Sequence, residues 1–160
     1  MRRRTLSSAE AAELTPRLAP FLEGENVRKI LKQGVTTVEM GKAKLILTAG
    51  FSFVMIGENT FPALTEANAR IIDRLPCVYV DRGAVPKIAS GADVMRPGIT
   101  RMDTFEKGSV VVVRDDMYSK PLAIGKALTS SVEAAAATHG RVVKNLHHVD
   151  DLIWKTLNNM

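Results

Sequence analysis

The sequence is short of cysteine, of long apolar runs and of any strong excess of charge, and each shortage excludes a class of protein. Its single cysteine, Cys77, cannot form a disulfide within the chain. The longest apolar runs, such as residues 53–56 and 110–113, fall far below the roughly 20 residues that a membrane-spanning helix needs. A signal peptide requires an apolar segment after its basic start, and no such segment follows the basic residues 2–4. These absences predict a cytoplasmic protein that needs no disulfide scaffold.

The charge and hydrophobic content are those of an ordinary globular chain of one domain or two small ones. The 160 residues include 22 Lys or Arg and 17 Asp or Glu, a net charge of +5, and 46% are hydrophobic. This balance excludes disorder or a coiled coil as a description of the whole chain. It permits binding to nucleic acid through phosphate neutralisation but does not require it.

Motifs for catalysis are weak. Gly125 and Lys126 resemble the end of a phosphate-binding loop, but Ala127 stands where Ser or Thr is needed to bind magnesium. The acidic pairs at 115–116 and 150–151 are adjacent in sequence, so their side chains diverge and form no acid–base pair. We therefore predict no catalytic residue and no enzymatic activity.

Metal ligands and a cysteine nucleophile find no better support. Cys77, His139, His147 and His148 lack the spacing of a tetrahedral site, and the two neighbouring histidines cannot both face one ion from a regular strand. Cys77 lies at the apolar entry to a strand, which favours a small buried residue over a nucleophile. The sequence predicts no metal and no cofactor.

The first 75 residues change from helical to β-rich patterns. A capping box opens residues 7–33, which fit two or three short helices. Short β-rich runs over 35–56, separated by glycines, predict an antiparallel meander. Residues 65–74 are predicted to form a helix that joins two units, whereas residues 2–4 are expected to be frayed and solvated.

The second half favours strands over helices. Strands are predicted near residues 78–80, 94–102, 109–113, 122–128 and 141–148, with helices near 82–90 and from 131. Small residues at Ala123, Gly125 and Ala127 predict a close neighbour on one face of a strand. A capping box at residues 130–133 opens the second helix, and Gly140 is expected to close it. The number and length of the strands favour a small β-barrel.

One glycine-rich segment holds the residues best suited to bind a ligand. Asp81 is placed to cap a helix. On that helix Gly83 and Lys87 are four residues apart and share a face, so the lysine lies beside backbone that no side chain covers. Gly91 and Ala92 are expected to end this helix and expose amide N–H groups suited to phosphate or base edges. The alternative is that these glycines only make tight turns.

A specific motif runs through this segment: Gly83 and Ala84, then Gly-Ala-Asp-Val-Met-Arg-Pro-Gly-Ile at residues 91–99. It resembles the signature of the PUA domain, which is named for pseudouridine synthases and archaeosine transglycosylases. The run at residues 145–154 further resembles the malignant T-cell amplified sequence family and its archaeal relatives. The resemblance implies an α+β fold. In it, a small α+β pre-PUA domain (residues 1–75) precedes a C-terminal PUA pseudobarrel with two short helices (residues 76–160).

The resemblance also implies a function. Proteins of this kind bind structured RNA, such as a tRNA acceptor end or a ribosomal RNA element, without catalysis and in association with translation. The implied partners are tRNA or rRNA, and a small ribosomal subunit or a translation factor, with no membrane and no duplex DNA. The implied RNA contacts are Arg82, Gly83, Lys87, Ser90, Gly91, Ala92, Asp93, Val94, Met95, Arg96, Lys126 and Lys144.

Two other functions stay open. An RNA-binding accessory subunit of a transglycosylase or pseudouridine synthase would carry the same domain. A protein-interaction or small-molecule module would use Phe51, Phe53 and Phe61, although such residues are more typical of a core.

Two residues depart from the expected pattern. Pro86 would be the fifth residue of a helix capped by Asp81, so the helix must bend there or begin later. Asp93 repels phosphate unless it caps a backbone group or accepts from a base.

Overall fold

In a computed structural model that describes residues 1–160, the chain divides into two compact units, Met1–Ile71 and Ile72–Met160. The α+β class is confirmed. None of the helices is long and apolar enough to cross a membrane.

The first unit is a five-stranded antiparallel sheet with short helices. Its strands follow one another in sequence order, β1-β2-β3-β4-β5, and neighbouring strands are joined by tight turns except where the helices intervene between β1 and β2. The strands are β1 (Arg2–Thr5), β2 (Thr36–Met40), β3 (Ala43–Thr48), β4 (Phe51–Ile56) and β5 (Asn59–Pro62). The helices are α1 (Ser8–Ala12), α2 (Thr15–Leu18), α3 (Val27–Lys32) and α4 (Ala69–Ile72), with 3₁₀ turns at Ala19–Phe21 and Glu66–Asn68.

The predicted capping box opens α1. The Ser7 hydroxyl accepts a hydrogen bond from the Glu10 amide (3.1 Å), and the Glu10 carboxylate accepts one from the Ser7 amide (3.0 Å). This backbone hydrogen bond and the Arg4 guanidinium lower the pKa of Glu10 to about 2. Leu18 and Ile30 from the helices pack with Phe53 from the sheet, so the helices cover one sheet face.

The sequence reasoning was wrong about the N-terminus. Residues 2–4 are not frayed, because they form β1 and pair with β2 from Arg2↔Glu39 to Thr5↔Thr36. The ion pair between Arg4 and Glu10 (2.7 Å) further fixes this strand. The helix predicted over 65–74 is shorter, a 3₁₀ turn followed by α4.

The three phenylalanines of the interaction-module hypothesis lie in the core. Phe53 and Phe61 are fully buried, and Phe51 is nearly so. They offer no contact surface to a partner.

The second unit is a six-stranded sheet that curls into a nearly closed pseudobarrel, with the order β7-β11-β10-β9-β6-β8. All pairs are antiparallel except β6 with β9. The strands are β6 (Cys77–Val80), β7 (Val94–Met95), β8 (Ile99–Met102), β9 (Val110–Asp115), β10 (Pro121–Ala127) and β11 (Arg141–His148). The helices are α5 (Val85–Ile88), α6 (Ser131–Ala136) and α7 (Leu152–Asn158).

The small-residue stripe of β10 packs tightly against β11 at Gly125. A Cβ on Gly125 would lie 2.3 Å from Cγ1 of Val143 and 2.7 Å from the Lys144 carbonyl oxygen, both on β11. Ala123 and Ala127, on the same stripe, are buried in the barrel core. The predicted close neighbour of this strand is confirmed.

Three predicted elements of this unit are corrected. The strand over 94–102 is interrupted by a 3₁₀ turn at Arg96–Gly98, because Pro97 offers no N–H to a strand ladder. The helix over 82–90 contracts to α5. Helix α6 ends at Ala136 because Ala137 is extended, while Gly140 (φ +100°) lies in the turn before β11.

The capping box at residues 130–133 is only half formed. The Ser130 hydroxyl accepts from the Glu133 amide (3.2 Å), but the Glu133 carboxylate accepts from the Thr129 hydroxyl (2.6 Å) instead of reaching back.

Candidate nucleic-acid interface

An open groove of about 470 Å³ lies over α5, the following glycine loop and β7. Five of the predicted contact residues line it: Gly83, Lys87, Ala92, Asp93 and Met95. Its other lining residues are Asp81, Ala84, Ile88, Pro97 and Gly98. The structure therefore brings the core of the predicted site together on one surface.

Residues 81–84, on the side of the groove before α5, form a turn rather than part of a helix. The Asp81 carboxylate accepts from the Ala84 amide (2.9 Å) and so holds the turn at 81–84. Helix α5 begins only at Val85, with Ala84 as its N-cap residue and Pro86 in its first turn, where a missing N–H costs little. Asp81 is therefore not the helix cap, and Gly83 lies before the helix.

The glycine loop satisfies its own amides. The Gly91 amide donates to the Ile88 carbonyl and the Ala92 amide to the Lys87 carbonyl, both at 3.0 Å. The expectation of free amide donors here is wrong, because these groups close the last turn of α5. Gly91 itself has φ +101°, and a Cβ there would lie 3.3 Å from Nε2 of His148. The loop thus needs glycine for both its conformation and its close packing.

Ser90 also turns toward the protein. Its hydroxyl donates to the Pro86 carbonyl (2.9 Å), although the residue as a whole is exposed.

Asp93 acts as a clamp between the loop and β11. One carboxylate oxygen accepts from the Asn145 amide (2.9 Å), and the other accepts from the Arg141 guanidinium (3.1 Å). The negative charge next to the groove is therefore compensated within the protein. This matches the condition under which a carboxylate is tolerated in the loop.

Arg96 and Val94 face their own protein. The Arg96 guanidinium donates to the carbonyls of Ala134 (2.6 Å) and Ile99 (3.3 Å), and Val94 is a core residue. Neither residue lines the groove, which favours structural roles over the RNA contacts expected of them.

Arg82, Lys126 and Lys144 also lie outside the groove lining. Arg82 is exposed and lines a neighbouring pocket. Lys126 and Lys144 lie opposite each other on β10 and β11. Two like charges in this position destabilise the strand pair unless an anion lies near them.

Asn145 positions the loop but was not among the predicted site residues. Its side-chain amide donates to the carbonyls of Ile88 and Ala92, both at 3.0 Å, and so ties the end of α5 and the loop to β11. The only signal was its place in the family-like run at 145–154. No local pattern reveals a partner more than 50 residues away in sequence.

The groove is suited to binding. Its lining holds one cation, Lys87, two acids and bare backbone, and it contains no Ser, Cys or His. No group of three or more His, Cys, Asp or Glu side chains is placed to hold a metal ion. An exposed lysine beside glycine backbone suits a phosphate, and the Met95 side chain supplies an apolar contact.

Comparison with known proteins agrees with this geometry. The PUA domain family matches residues 76–149. An uncharacterized protein of Methanocaldococcus jannaschii is 31% identical, over 84% of this chain and 93% of that protein. The fold is that of a PUA-domain protein, and the chain belongs to the PUA-domain family.

More particular similarity is to translation-associated proteins. Translation machinery-associated protein 20 of Saccharomyces cerevisiae is 34% identical over 86 residues, 49% of this chain and 48% of that protein. The malignant T-cell-amplified sequence 1 homolog of Drosophila melanogaster is 33% identical over 81 residues, 48% of this chain and 44% of that protein. The chain spans about half the length of these relatives. The family predicted from the sequence is confirmed.

Among solved structures, a hypothetical protein of Pyrococcus horikoshii superposes with a TM-score of 0.77 and 32% identity. The alignment covers 97% of this chain and 99% of that one, so both units share its fold.

Proposed function

We propose that this chain is a non-catalytic, cytoplasmic RNA-binding protein of the translation machinery. Its PUA unit recognises structured RNA, a tRNA acceptor end or a ribosomal RNA element, in the groove over α5. The single observation that carries the proposal is the convergence of Gly83, Lys87, Ala92 and Met95 on one groove within the matched domain. The similarity to translation-associated proteins supports the cellular setting. A small ribosomal subunit or a translation factor is the proposed assembly partner.

The shape of the groove favours an RNA end over a duplex. Gly83 and Gly98 place backbone rather than side chains at the surface, so a ribose or base can approach closely. Gly98 is packed tightly, since a Cβ there would lie 3.1 Å from the Ala84 Cβ. Lys87 supplies the phosphate contact, while the side chain of Met95, which is 47% exposed, supplies an apolar face. An unpaired terminus, which exposes its bases as well as its phosphates, fits such a mixed surface better than the uniform backbone of a duplex.

The test is filter binding with three nucleic acids across roughly 50 to 200 mM salt, where phosphate contacts show their slope. The probes are deacylated tRNA, the same tRNA trimmed of its CCA end, and duplex DNA of matched length. We expect intact tRNA to bind most tightly. Equal weak binding of all three would overturn recognition of an acceptor end and leave only generic charge.

A matched pair of variants locates the binding surface. Lys87→Ala should weaken tRNA binding. It should also reduce by about one the salt slope, which is the slope of the logarithm of affinity against the logarithm of salt concentration. Lys155→Ala removes an exposed lysine on α7, outside the groove, and should leave both quantities unchanged. If both variants bind like the wild type, the groove is not the RNA site.

A further inference from the structure

A second pocket, of about 340 Å³, lies at the turn between β9 and β10. Its apolar lining is formed by Val80, Val85 and Leu122, and its cations are Arg82 and Lys120. Its volume falls within the range of about 300–1,000 Å³ that small-molecule sites occupy. Nothing in the proposed groove function uses this pocket.

The turn beside the pocket displays two large apolar side chains. Tyr118 is 74% exposed and Met117 is 64% exposed, and both line the pocket. Together they add exposed apolar surface to the edge of the pocket.

This turn is held in one conformation by its own hydrogen bonds. The Asp115 carboxylate accepts from the amides of Tyr118 (2.6 Å) and Lys120 (2.9 Å), and the Arg114 guanidinium donates to the Ser119 carbonyl (2.8 Å). Ser119 adopts φ +59°, a left-handed conformation that these bonds maintain. The backbone that carries Tyr118 is therefore fixed, and its ring is exposed beside the pocket.

Arg82 connects this pocket to the groove. It lines the pocket, while its two sequence neighbours, Asp81 and Gly83, line the groove. The groove and the pocket therefore adjoin at Arg82. An aromatic face with flanking cations is the arrangement by which proteins bind unpaired bases.

We propose that this pocket holds one unpaired nucleobase of the bound RNA, stacked on Tyr118, with Arg82 and Lys120 contacting the adjacent phosphates. The proposal rests on the RNA-binding function proposed above and adds a second subsite to it. Met117 and the apolar lining cover the part of the base that the tyrosine ring leaves exposed.

The acids of the pocket give this subsite a preference among bases. Both carboxylate oxygens of Asp115 are used by the turn, whereas Asp116 is exposed and lines the pocket. A carboxylate accepts from the exocyclic amino groups of adenine, cytosine and guanine, whereas uracil has no amino group and carries O4 where cytosine carries N4–H₂. The subsite should therefore favour an amino-bearing base over uracil.

Fluorescence anisotropy with labelled oligo(A), oligo(C) and oligo(U), each about eight nucleotides long, tests this subsite with the full chain. Tyr118→Ala should weaken oligo(A) binding by about 5- to 150-fold, the range that one base–aromatic stack supports. Tyr118→Phe keeps the ring and should retain binding. Val132→Ala, which truncates an exposed apolar residue on α6, is the matched control.

Base preference is tested by Asp116→Asn. We expect wild-type protein to bind oligo(C) more tightly than oligo(U), and the variant to lose most of that difference. Oligonucleotide binding that Tyr118→Ala leaves unchanged would overturn the subsite.

Lys87→Ala separates this result from the proposed function. If Lys87→Ala weakens tRNA binding while Tyr118→Ala has no effect on any probe, the groove function stands and the subsite is wrong. If no RNA binds the wild type at all, both proposals fail.

Discussion

The two units solve the problem of holding a sheet together in different ways. In the first unit every strand pairs with its neighbour in sequence, and in the second the order β7-β11-β10-β9-β6-β8 mixes near and distant segments. Each unit uses an asparagine as a clamp. Asn68 binds Ser52 and Ala63, 16 and 5 residues away, whereas Asn145 binds Ile88 and Ala92, 57 and 53 residues away. Nearby contacts suffice for a meander, but a barrel with a groove needs distant ones.

The largest expected effect is at the tight contact between Gly125 and β11. Gly125→Ala places a Cβ against the Lys144 backbone, which cannot move as a flexible side chain would. We expect a loss of about 3 kcal/mol or more in the free energy of unfolding of the second unit, measured by urea denaturation. Gly83→Ala is the control, since its Cβ would make an ordinary 3.5 Å contact. Equal stability of the two variants would contradict the close packing of β10 against β11.

The next effect tests the clamp of the first unit. Asn68→Ala removes hydrogen bonds to the Ser52 amide (3.1 Å) and to the Ser52 and Ala63 carbonyls (both 2.7 Å), although each carbonyl keeps one backbone amide as a donor. We expect a cost of about 2–4 kcal/mol, because three buried hydrogen bonds are lost and each contributes about 0.5–1.5 kcal/mol. Backbone amide NMR shifts should change throughout the first unit. Asn158→Ala, on the exposed end of α7, should be nearly neutral.

A smaller effect distinguishes a clamp from an RNA contact. Arg96→Met keeps an apolar stem but loses the hydrogen bonds to Ala134 and Ile99, at a cost of about 1–3 kcal/mol. At temperatures where the variant stays folded, its salt slope for tRNA binding should equal that of the wild type. A slope reduced by about one would show that Arg96 contacts phosphate after all.

The smallest effect depends on pH. Burial raises the pKa of Asp151. Three kinds of contact together lower this pKa by more than burial raises it: the hydrogen bond with His147 (2.8 Å), the charge of His147, and hydrogen bonds from the backbone amides of Trp154 and His148. A carboxyl whose pKa is lower when folded stabilises the fold above its unfolded pKa, about 3.9, and loses that contribution as pH falls through the folded value. Asp151 also caps α7.

Asp151→Ala should therefore cost about 1 kcal/mol at pH 7, the usual value of a lost helix cap. The difference from wild type should shrink as the pH falls below about 4. Thermal unfolding of both proteins between pH 7 and pH 3 measures it. A difference that stays constant with pH would show that the charge of Asp151 does not contribute.

Local patterns predicted the elements whose causes are local. The Ser7 cap, the meander and the valine strand at β9 each follow from a few adjacent residues. The motif at residues 83–99 located the groove because glycines and Lys87 are close in sequence. What failed depended on distant partners: β1 is ordered by β2, more than 30 residues on, and the roles of Asp93 and Arg96 are set by residues 38 to 52 positions away.

The prediction for helix α5 was wrong for a different reason. Asp81 was the predicted N-cap, because aspartate is a preferred capping residue. Its carboxylate instead holds the turn at 81–84, and the helix begins at Val85, where Pro86 lies in the first turn.

A nascent chain acquires these contacts in a fixed order. All strands of the first unit have been synthesised by residue 62, and all the residues that line the groove by residue 98. Yet β7 pairs only with β11, and the Asn145 clamp belongs to the same late strand. Until residues 141–148 emerge from the ribosome, Asp93 and the glycine loop lack the partners that position them. The groove is therefore completed only once β11 has been synthesised, long after the sheet of the first unit can fold.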